Sequence, residues 1–253
     1  MTPDSGPNHP FPITGAVLNF CNPEWFPHLD FENDLMRSTR RGPHFEVVVG
    51  IHPKKAAIYM PAQWGGFLRL LCNPRVSAIS EVGFDFSVPK NLWHPQEELF
   101  NRILSMGTLG RILVMHLRGA AADPCGSTVN RLAIRLLKKK CLAHQRIHLH
   151  YFSVDAGMVR AWVAAFPHCY FGVSGLIQSF NRDQLQAVRK IPLTRLLLET
   201  DSLYLRISSC MRSVSTTLLC IWGMWGQHPA RVRGMALPDV TQVTYANAVR
   251  LYA

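Results

Sequence analysis

The sequence lacks the features that mark membrane or secreted proteins. No apolar stretch reaches the ~18 residues that a membrane span needs, and the most apolar one, 218–225, is short and contains glycine. The N-terminus begins Met-Thr-Pro-Asp-Ser-Gly-Pro and has no basic region followed by an apolar one, as a secretory signal would have. We therefore expect no membrane contact and an intracellular location, cytoplasmic or nuclear.

Cysteine pairs and long charged blocks are also missing. The seven cysteines are an odd number and contain no Cys-x-x-Cys pair, which argues against a disulfide framework and favours a reducing compartment. Lys and Arg outnumber Asp and Glu by 27 to 16, so the net charge is +11, but the longest basic block is only Lys138-Lys139-Lys140. The charge alone is equally compatible with a nucleic-acid partner and with basic residues scattered over helix surfaces.

The chain does contain a regular alternation of strand-like and helix-like segments. Hydrophobic residues make up 48% of the 253 residues, which is enough for one domain with a sizeable core. Apolar and β-branched runs occur at 16–21, 46–51, 77–84, 111–116, 146–152, 170–174 and 195–200. Helical patterns occupy 95–104, 127–140, 156–166, 181–190 and 238–251. This alternation predicts an α/β fold with a parallel sheet, of the (β/α)₈ TIM-barrel type.

The predicted barrel is incomplete. A closed barrel needs eight strands, whereas the sequence contains seven strand-like runs. Residues 1–14, rich in Pro and Gly, are expected to form a loose tail, and residues 15–253 a single barrel domain. Within that domain the segment 206–230 has no clean helical period and is predicted to be irregular.

Four potential metal ligands end four of the apolar segments. They are Glu81, His116, His150 and Asp201, and the C-terminal rim of barrel strands is where the chemistry of that fold takes place. Two imidazoles and two carboxylates suit Zn²⁺ or Mn²⁺, and Mg²⁺ less well. A single histidine in a strand is more often a structural core residue, but a buried carboxylate is costly without a partner.

The strand Ile147-His-Leu-His carries two histidines on the same side, because side chains alternate along a strand. His150 is nearer the rim and is therefore the better candidate ligand. His148 is expected either to pack lower in the barrel or to support a ligand from behind.

Several motifs resemble the TatD family of metal-dependent deoxyribonucleases, which have amidohydrolase-like barrels. The matching motifs, in the family's order, are Gly50-Ile-His-Pro, Glu81-Val-Gly-Phe-Asp85, His116-Leu-Arg118, His150-Tyr-Phe and Glu199-Thr-Asp-Ser-Leu-Tyr204. The resemblance covers roughly 15–205 and 232–252. It implies hydrolysis of phosphodiester bonds in DNA through a metal-activated water, with DNA as the partner.

The resemblance also implies roles for the candidate residues. Glu81 would bridge two metal positions, with His116 and His150 completing the second position. Asp201 would bind the first metal and orient or deprotonate the attacking water, so Glu81 and Asp201 are the predicted catalytic residues.

Three further residues are candidates for substrate binding by the same resemblance. His52 would contact a substrate phosphate, although a loop histidine before Pro53 explains it equally well. Arg118 would pair with phosphate bidentately, with a solvated rim charge as the alternative. Tyr204 would stack on a base, unless it only packs in the pocket wall. Asp85 is expected to support the ligands from behind.

The chain departs from the family at its start. The family's first strand carries a His-x-His pair, whereas Gly15-Ala-Val-Leu-Asn-Phe resembles the family's second strand. The first metal position therefore keeps only Glu81 and Asp201, and we expect one firmly bound divalent ion, Zn²⁺, Mn²⁺ or Mg²⁺. Two alternatives to a nuclease stay open: a catalytically impaired barrel that acts as a binding or scaffold protein, and a related barrel hydrolase that acts on an amide or lactone.

Overall fold

The computed structural model describes residues 15–26, 44–108, 110–200 and 226–252. Its sheet has seven parallel strands that follow one another in chain order. They are β1 Gly15–Phe20, β2 His44–Val49, β3 Val76–Asp85, β4 Ile112–Arg118, β5 Ile147–His150, β6 Cys169–Val173 and β7 Leu196–Leu198. Each predicted run lies within two residues of its strand at both ends, so the predicted α/β fold is confirmed.

Helices connect the strands, as right-handed parallel crossovers require. Among the described residues they include Pro61–Leu71, Trp93–Ser105, Ser127–Lys140, Ala156–Ala165, Arg182–Lys190 and Leu237–Tyr252. Asn181 caps the helix Arg182–Lys190, since its side chain accepts hydrogen bonds from the backbone N–H groups of Asp183 and Gln184. No helix among the described residues is long and apolar enough to cross a membrane.

Two α-helical segments of the described residues were not predicted. In Pro61–Leu71 the pair Gly65-Gly66 weakens the sequence signal, but Trp64, Phe67, Leu70 and Leu71 bury one face of the helix. Residues 226–233 are also helical, so the end of the segment expected to be irregular, 226–230, differs from the prediction.

The packing of the 226–233 helix explains that difference. Arg233 donates hydrogen bonds to the backbone oxygens of Val188 and Ile191, at the end of the preceding helix. Ala230 of the same helix is buried. Tertiary contacts therefore stabilise a helix that Gly226 and Pro229 conceal in the sequence. The predicted tail 1–14 and the remainder of the irregular segment, 206–225, lie outside the described residues.

The sheet is strongly curved. In a flat sheet β1 and β5 would be four strand spacings apart, about 19 Å. Instead, Asn19 of β1 and His150 of β5 both reach the same oxygen of Glu81 in β3, at 2.8 and 3.8 Å. The curvature closes the C-terminal ends of the strands into a cup. The large apolar core lies between the sheet and the helices, with Phe67, Phe84 and Trp162 among its fully buried side chains.

Candidate metal centre

Glu81 is the hub of the cup. Its side chain is 9% exposed, and each of its two oxygens faces different neighbours. Oε1 accepts a hydrogen bond from Asn19 Nδ2 at 2.8 Å and lies 3.8 Å from His150 Nε2 and 3.9 Å from Cys21 Sγ. Oε2 lies 3.0 Å from His116 Nδ1 and 3.8 Å from His52 Nε2. The carboxylate therefore joins two halves of one site.

His116 bridges two carboxylates at the end of β4. Nδ1 lies 3.0 Å from Glu81 Oε2, and Nε2 lies 3.0 Å from Asp85 Oδ2. Burial alone would lower the pKa of His116 and raise those of Glu81 and Asp85. At Glu81 the electrostatic interaction with His150, followed by the hydrogen bond with His116, outweighs burial, and at Asp85 the hydrogen bonds from His116 and Ser87 outweigh it, so the pKa values of both carboxyls are lowered. At His116 the hydrogen bonds with Asp85 and Glu81 outweigh burial, so its pKa is raised.

Asp85 is held by its own partners. Its backbone N–H donates to Gln96 Oε1 at 2.7 Å, and Gln96 Nε2 donates to the Asp85 backbone oxygen at 3.0 Å. Ser87 donates to Oδ1 through both its backbone N–H and its hydroxyl. The carboxylate is fully buried and has a fixed orientation towards His116.

His52 differs from His150 in where its hydrogen lies. Nδ1 accepts a hydrogen bond from the backbone N–H of Lys54 at 3.1 Å, so the hydrogen of the neutral ring is on Nε2, the atom facing Glu81. Burial, together with repulsion from His116, lowers the pKa of His52 to about 4. His52 is therefore a neutral N–H donor directed into the cup at neutral pH.

His150 has the opposite arrangement. Its Nδ1 lies 2.9 Å from Glu199 Oε1, so Nδ1 carries the hydrogen and donates it to that carboxylate. The lone pair of the neutral ring is then on Nε2, which faces Glu81 Oε1 at 3.8 Å. Two electron-pair donors that face one another at this distance are stabilised by a cation between them.

The mouth of the cup is basic. Lys54 Nζ and Arg118 Nη1 lie 3.5 and 3.8 Å from Asp85 Oδ2, and their side chains are 43% and 48% exposed. The next lysine, Lys55, turns away and pairs with Glu24 at 2.9 Å. The half-exposed pair at the mouth is able to meet an anionic group that enters the cup.

Pairs of donor atoms in the cup are close enough to share a small divalent ion. Ligand atoms about 2.0–2.2 Å from one ion are at most about 4.4 Å apart, and the closest Glu81–His116 and Glu81–His150 approaches of 3.0 and 3.8 Å lie within that limit. Among the described residues, the group of three whose ligand atoms all lie within 4.8 Å of one another, slightly wider than that limit, is His52, Asp85 and His116. The mixture of imidazole nitrogen and carboxylate oxygen matches the preferences of Zn²⁺ and Mn²⁺.

Three of the four predicted ligands, Glu81, His116 and His150, lie together in the cup. Of the predicted substrate-binding residues, His52 faces the same carboxylate and Arg118 lies at the mouth. The other two predicted site residues, Asp201 and Tyr204, lie outside the described residues.

Sequence reasoning missed two polar residues of the cup. Asn19 interrupts the apolar run of β1, and its contact with Glu81 explains why a polar residue occurs there. Lys54 follows the Ile-His-Pro motif and contacts Asp85 from the loop after β2. A polar residue within an apolar strand was the available signal for Asn19. The sequence contains no comparable signal for Lys54, because only the fold shows that the side chain of Lys54 turns towards the cup while that of Lys55 turns away from it.

A family model and several similar proteins point to the same family. A model of the "TatD related DNase" family matches residues 15–253. The "3'-5' RNA nuclease TATDN2" of Homo sapiens is 26% identical over 96% of this chain, and this chain covers 31% of that protein. A Mycobacterium tuberculosis relative, "Uncharacterized metal-dependent hydrolase TatD", is 30% identical over 81% of this chain and 75% of its own length. The "3'-5' ssDNA/RNA exonuclease TatD" of Salmonella typhimurium is 27% identical over 67% of this chain and 62% of its own length.

Solved structures show the same fold. The TatD homologue YjjV of Escherichia coli has a TM-score of 0.70 at 17% identity, covering 94% of this chain and 86% of that chain. An uncharacterised amidohydrolase from Saccharomyces cerevisiae has a TM-score of 0.67 at 14% identity, covering 94% and 88%. These similarities confirm the predicted barrel-type fold.

Proposed function

We propose that this chain, which belongs to the family of TatD related DNases, is a metal-dependent nuclease that hydrolyses phosphodiester bonds of DNA. The main support is that His116 and His150, from two neighbouring strands, converge on the buried carboxylate of Glu81. Such a cluster is expensive to bury without a cation to neutralise it. The printed names of two relatives include single-stranded DNA or RNA as substrate, so RNA belongs in the test.

The proposed ligands are Glu81, His116, His150 and Asp201, and we expect them to hold one Zn²⁺ or Mn²⁺ firmly. When bound, such an ion lowers the pKa of a water molecule and stabilises charge on the phosphoryl group. Asp201, two residues after Glu199, is proposed to orient the attacking water. We place the site of action inside the cell, in the cytoplasm or nucleus.

The other residues of the cup would handle the substrate phosphate. His52 presents Nε2–H and is proposed to donate it to a phosphoryl oxygen rather than to bind the metal, because its Nδ1 accepts from Lys54. Metal-binding histidines instead donate their second ring hydrogen to a carboxylate, a carbonyl or water, as His150 does to Glu199. Arg118 at the mouth would pair with the phosphate charge, and Tyr204 would stack on a base.

Activity and metal content of matched variants test this proposal. The purified chain should bind about one Zn²⁺ or Mn²⁺ and degrade single-stranded DNA, while His116→Ala and Asp201→Ala should lose most of both. The controls are His144→Ala and Asp239→Ala, which change exposed residues of the same types.

The possible results separate the alternatives. Equal metal content in wild type and His116→Ala would reject the ligand assignment. A metal-loaded chain that cleaves neither DNA nor RNA would reject the nuclease and favour the binding or scaffold role.

A further inference from the structure

A second buried carboxylate, Glu199, lies directly behind His150. Oε1 lies 2.9 Å from His150 Nδ1 and 2.6 Å from His148 Nε2, and Oε2 accepts a hydrogen bond from the Tyr151 backbone N–H at 2.9 Å. Glu199 is therefore placed to accept a hydrogen bond from the histidine that faces Glu81.

The distances between Glu199, His148 and Tyr252 show which atoms carry the hydrogens in these contacts. His148 Nε2 is 2.6 Å from Glu199 Oε1, too close for two lone pairs, so Nε2 carries a hydrogen even though it is out of line for a good hydrogen bond. The other nitrogen, Nδ1, then accepts from the Tyr252 hydroxyl at 2.8 Å. Burial raises the pKa of Tyr252, so the hydroxyl keeps the hydrogen that it donates.

The glycine at position 172 leaves space for the Glu199 carboxylate. A Cβ at Gly172 of β6 would lie 2.2 Å from the carboxylate carbon, so any side chain there would displace it. Tyr252 is the last residue of the helix Leu237–Tyr252. Arg146, the residue before β5, holds this end of the helix, because its Nη1 donates a hydrogen bond to the Leu251 backbone oxygen at 2.9 Å.

We propose that Glu199, braced by His148 and Tyr252, is a positioning residue that fixes the tautomer and direction of His150, so that the C-terminal helix helps to set metal affinity. The inference rests on the proposed function, because it takes His150 to be a metal ligand. A carboxylate behind a histidine ligand fixes the ring and makes it more basic, and losing such a partner lowers metal affinity about 10- to 100-fold.

Two substitutions test how far each residue behind His150 contributes to metal affinity. Glu199→Gln should weaken metal binding about 10- to 100-fold, because the amide places a donor against either the imidazole or the Tyr151 N–H. Tyr252→Phe removes one hydrogen bond a step further away and should weaken metal binding about 2- to 10-fold. The matched control is Tyr245→Phe, the same change at a half-exposed position of the same helix, which should leave affinity unchanged.

Metal affinity is measured by competition with a chromophoric chelator, with Zn²⁺ as the probe and His150→Ala as the reference variant. The second readout is independent of metal: long-range ¹⁵N–¹H spectra of the metal-free protein should show His150 with its hydrogen on Nδ1. In Glu199→Gln the single tautomer should be lost. A role confined to stability would lower the unfolding temperature without moving this signature.

The results distinguish the two claims. If His150→Ala binds Zn²⁺ like wild type, the ligand set of the proposed function is wrong and the inference falls with it. If His150→Ala weakens binding while Glu199→Gln and Tyr252→Phe do not, the positioning role alone is overturned. A His150 hydrogen on Nε2 in the wild-type protein would also overturn it, whatever the affinities are.

Discussion

His52 and His150 lie at the same distance from Glu81, 3.8 Å from one of its oxygens, yet they offer it different chemistry. The difference is set by the partner of the second ring nitrogen, a backbone N–H for His52 and a carboxylate for His150. Distance alone would count both as ligands. The hydrogen-bond partners support the proposed roles, with His52 directed to the substrate and His150 to the metal.

Substitution of His52 tests this division of roles. His52→Ala should bind Zn²⁺ with nearly wild-type affinity but cleave DNA at least about tenfold more slowly, because a preorganised donor to the reacting phosphate is lost. His52→Gln, which keeps an N–H donor, should restore part of the rate. A loss of metal affinity as large as that of His150→Ala would show instead that His52 is a ligand.

The adjacent lysines 54 and 55 provide a second test with a built-in control. Lys54→Ala should weaken binding of single-stranded DNA and reduce the slope of log affinity against log salt by about 1, because one phosphate contact is lost. Lys55→Ala removes the same charge, but Lys55 pairs with Glu24 away from the cup, so the effect should be smaller. Equal salt slopes for the two variants would contradict a specific role for Lys54.

At the scale of elements, the strands and amphipathic helices follow local patterns that are readable in the sequence. Ser127–Lys140 has the predicted bounds because two sequence features, its apolar face and the lysines at its C-terminal end, both indicate the same helix. Pro61–Leu71 was missed because two glycines oppose the local pattern while burial of Trp64 and Phe67 stabilises the helix. Packing therefore overrides propensity where the two disagree.

The C-terminal helix is attached to β7 by a side chain that the sequence does not single out. Asn247 Nδ2 donates hydrogen bonds of 2.8 Å to the backbone oxygens of Leu193 and Leu196. Asn247→Ala leaves these contacts unmade in a buried setting and should lower the free energy of unfolding by about 1–3 kcal/mol. Urea denaturation measures the change.

The control for that substitution is Val249→Ala, at a position 45% exposed on the same helix. Its effect should stay within about 0.5 kcal/mol, as for most surface changes. If the two variants are equally stable, Asn247 does not anchor the helix.

At the scale of the whole molecule, the curved sheet gathers like charges that only a cation or protonation neutralises. Metal removal should therefore destabilise the protein. An ion bound only by the native state at 100 times its dissociation constant contributes about 2.7 kcal/mol, which corresponds to about 5–10 °C in the midpoint of thermal unfolding for a chain of this size.

Scanning calorimetry with and without a chelator measures this shift. The His150→Ala variant serves as the control, because it should lose most of the metal-dependent part of the shift while still folding. An unfolding midpoint that does not respond to the chelator in the wild-type protein would contradict metal binding by the native state.

The sequence by itself determined the positions of the strands, the fold class and three of the polar residues that cluster in the cup, because alternation of apolar runs and the residues at their ends are local properties of the chain. Only the tertiary structure decided which ring nitrogen of His52 and of His150 carries the hydrogen, that Asn19, Lys54 and Glu199 surround the proposed ligands, and that Tyr252 of the last helix contacts His148 behind them. Those features depend on contacts between residues far apart in the chain, such as the 104-residue separation between His148 and Tyr252, and on the curvature of the sheet that brings them together.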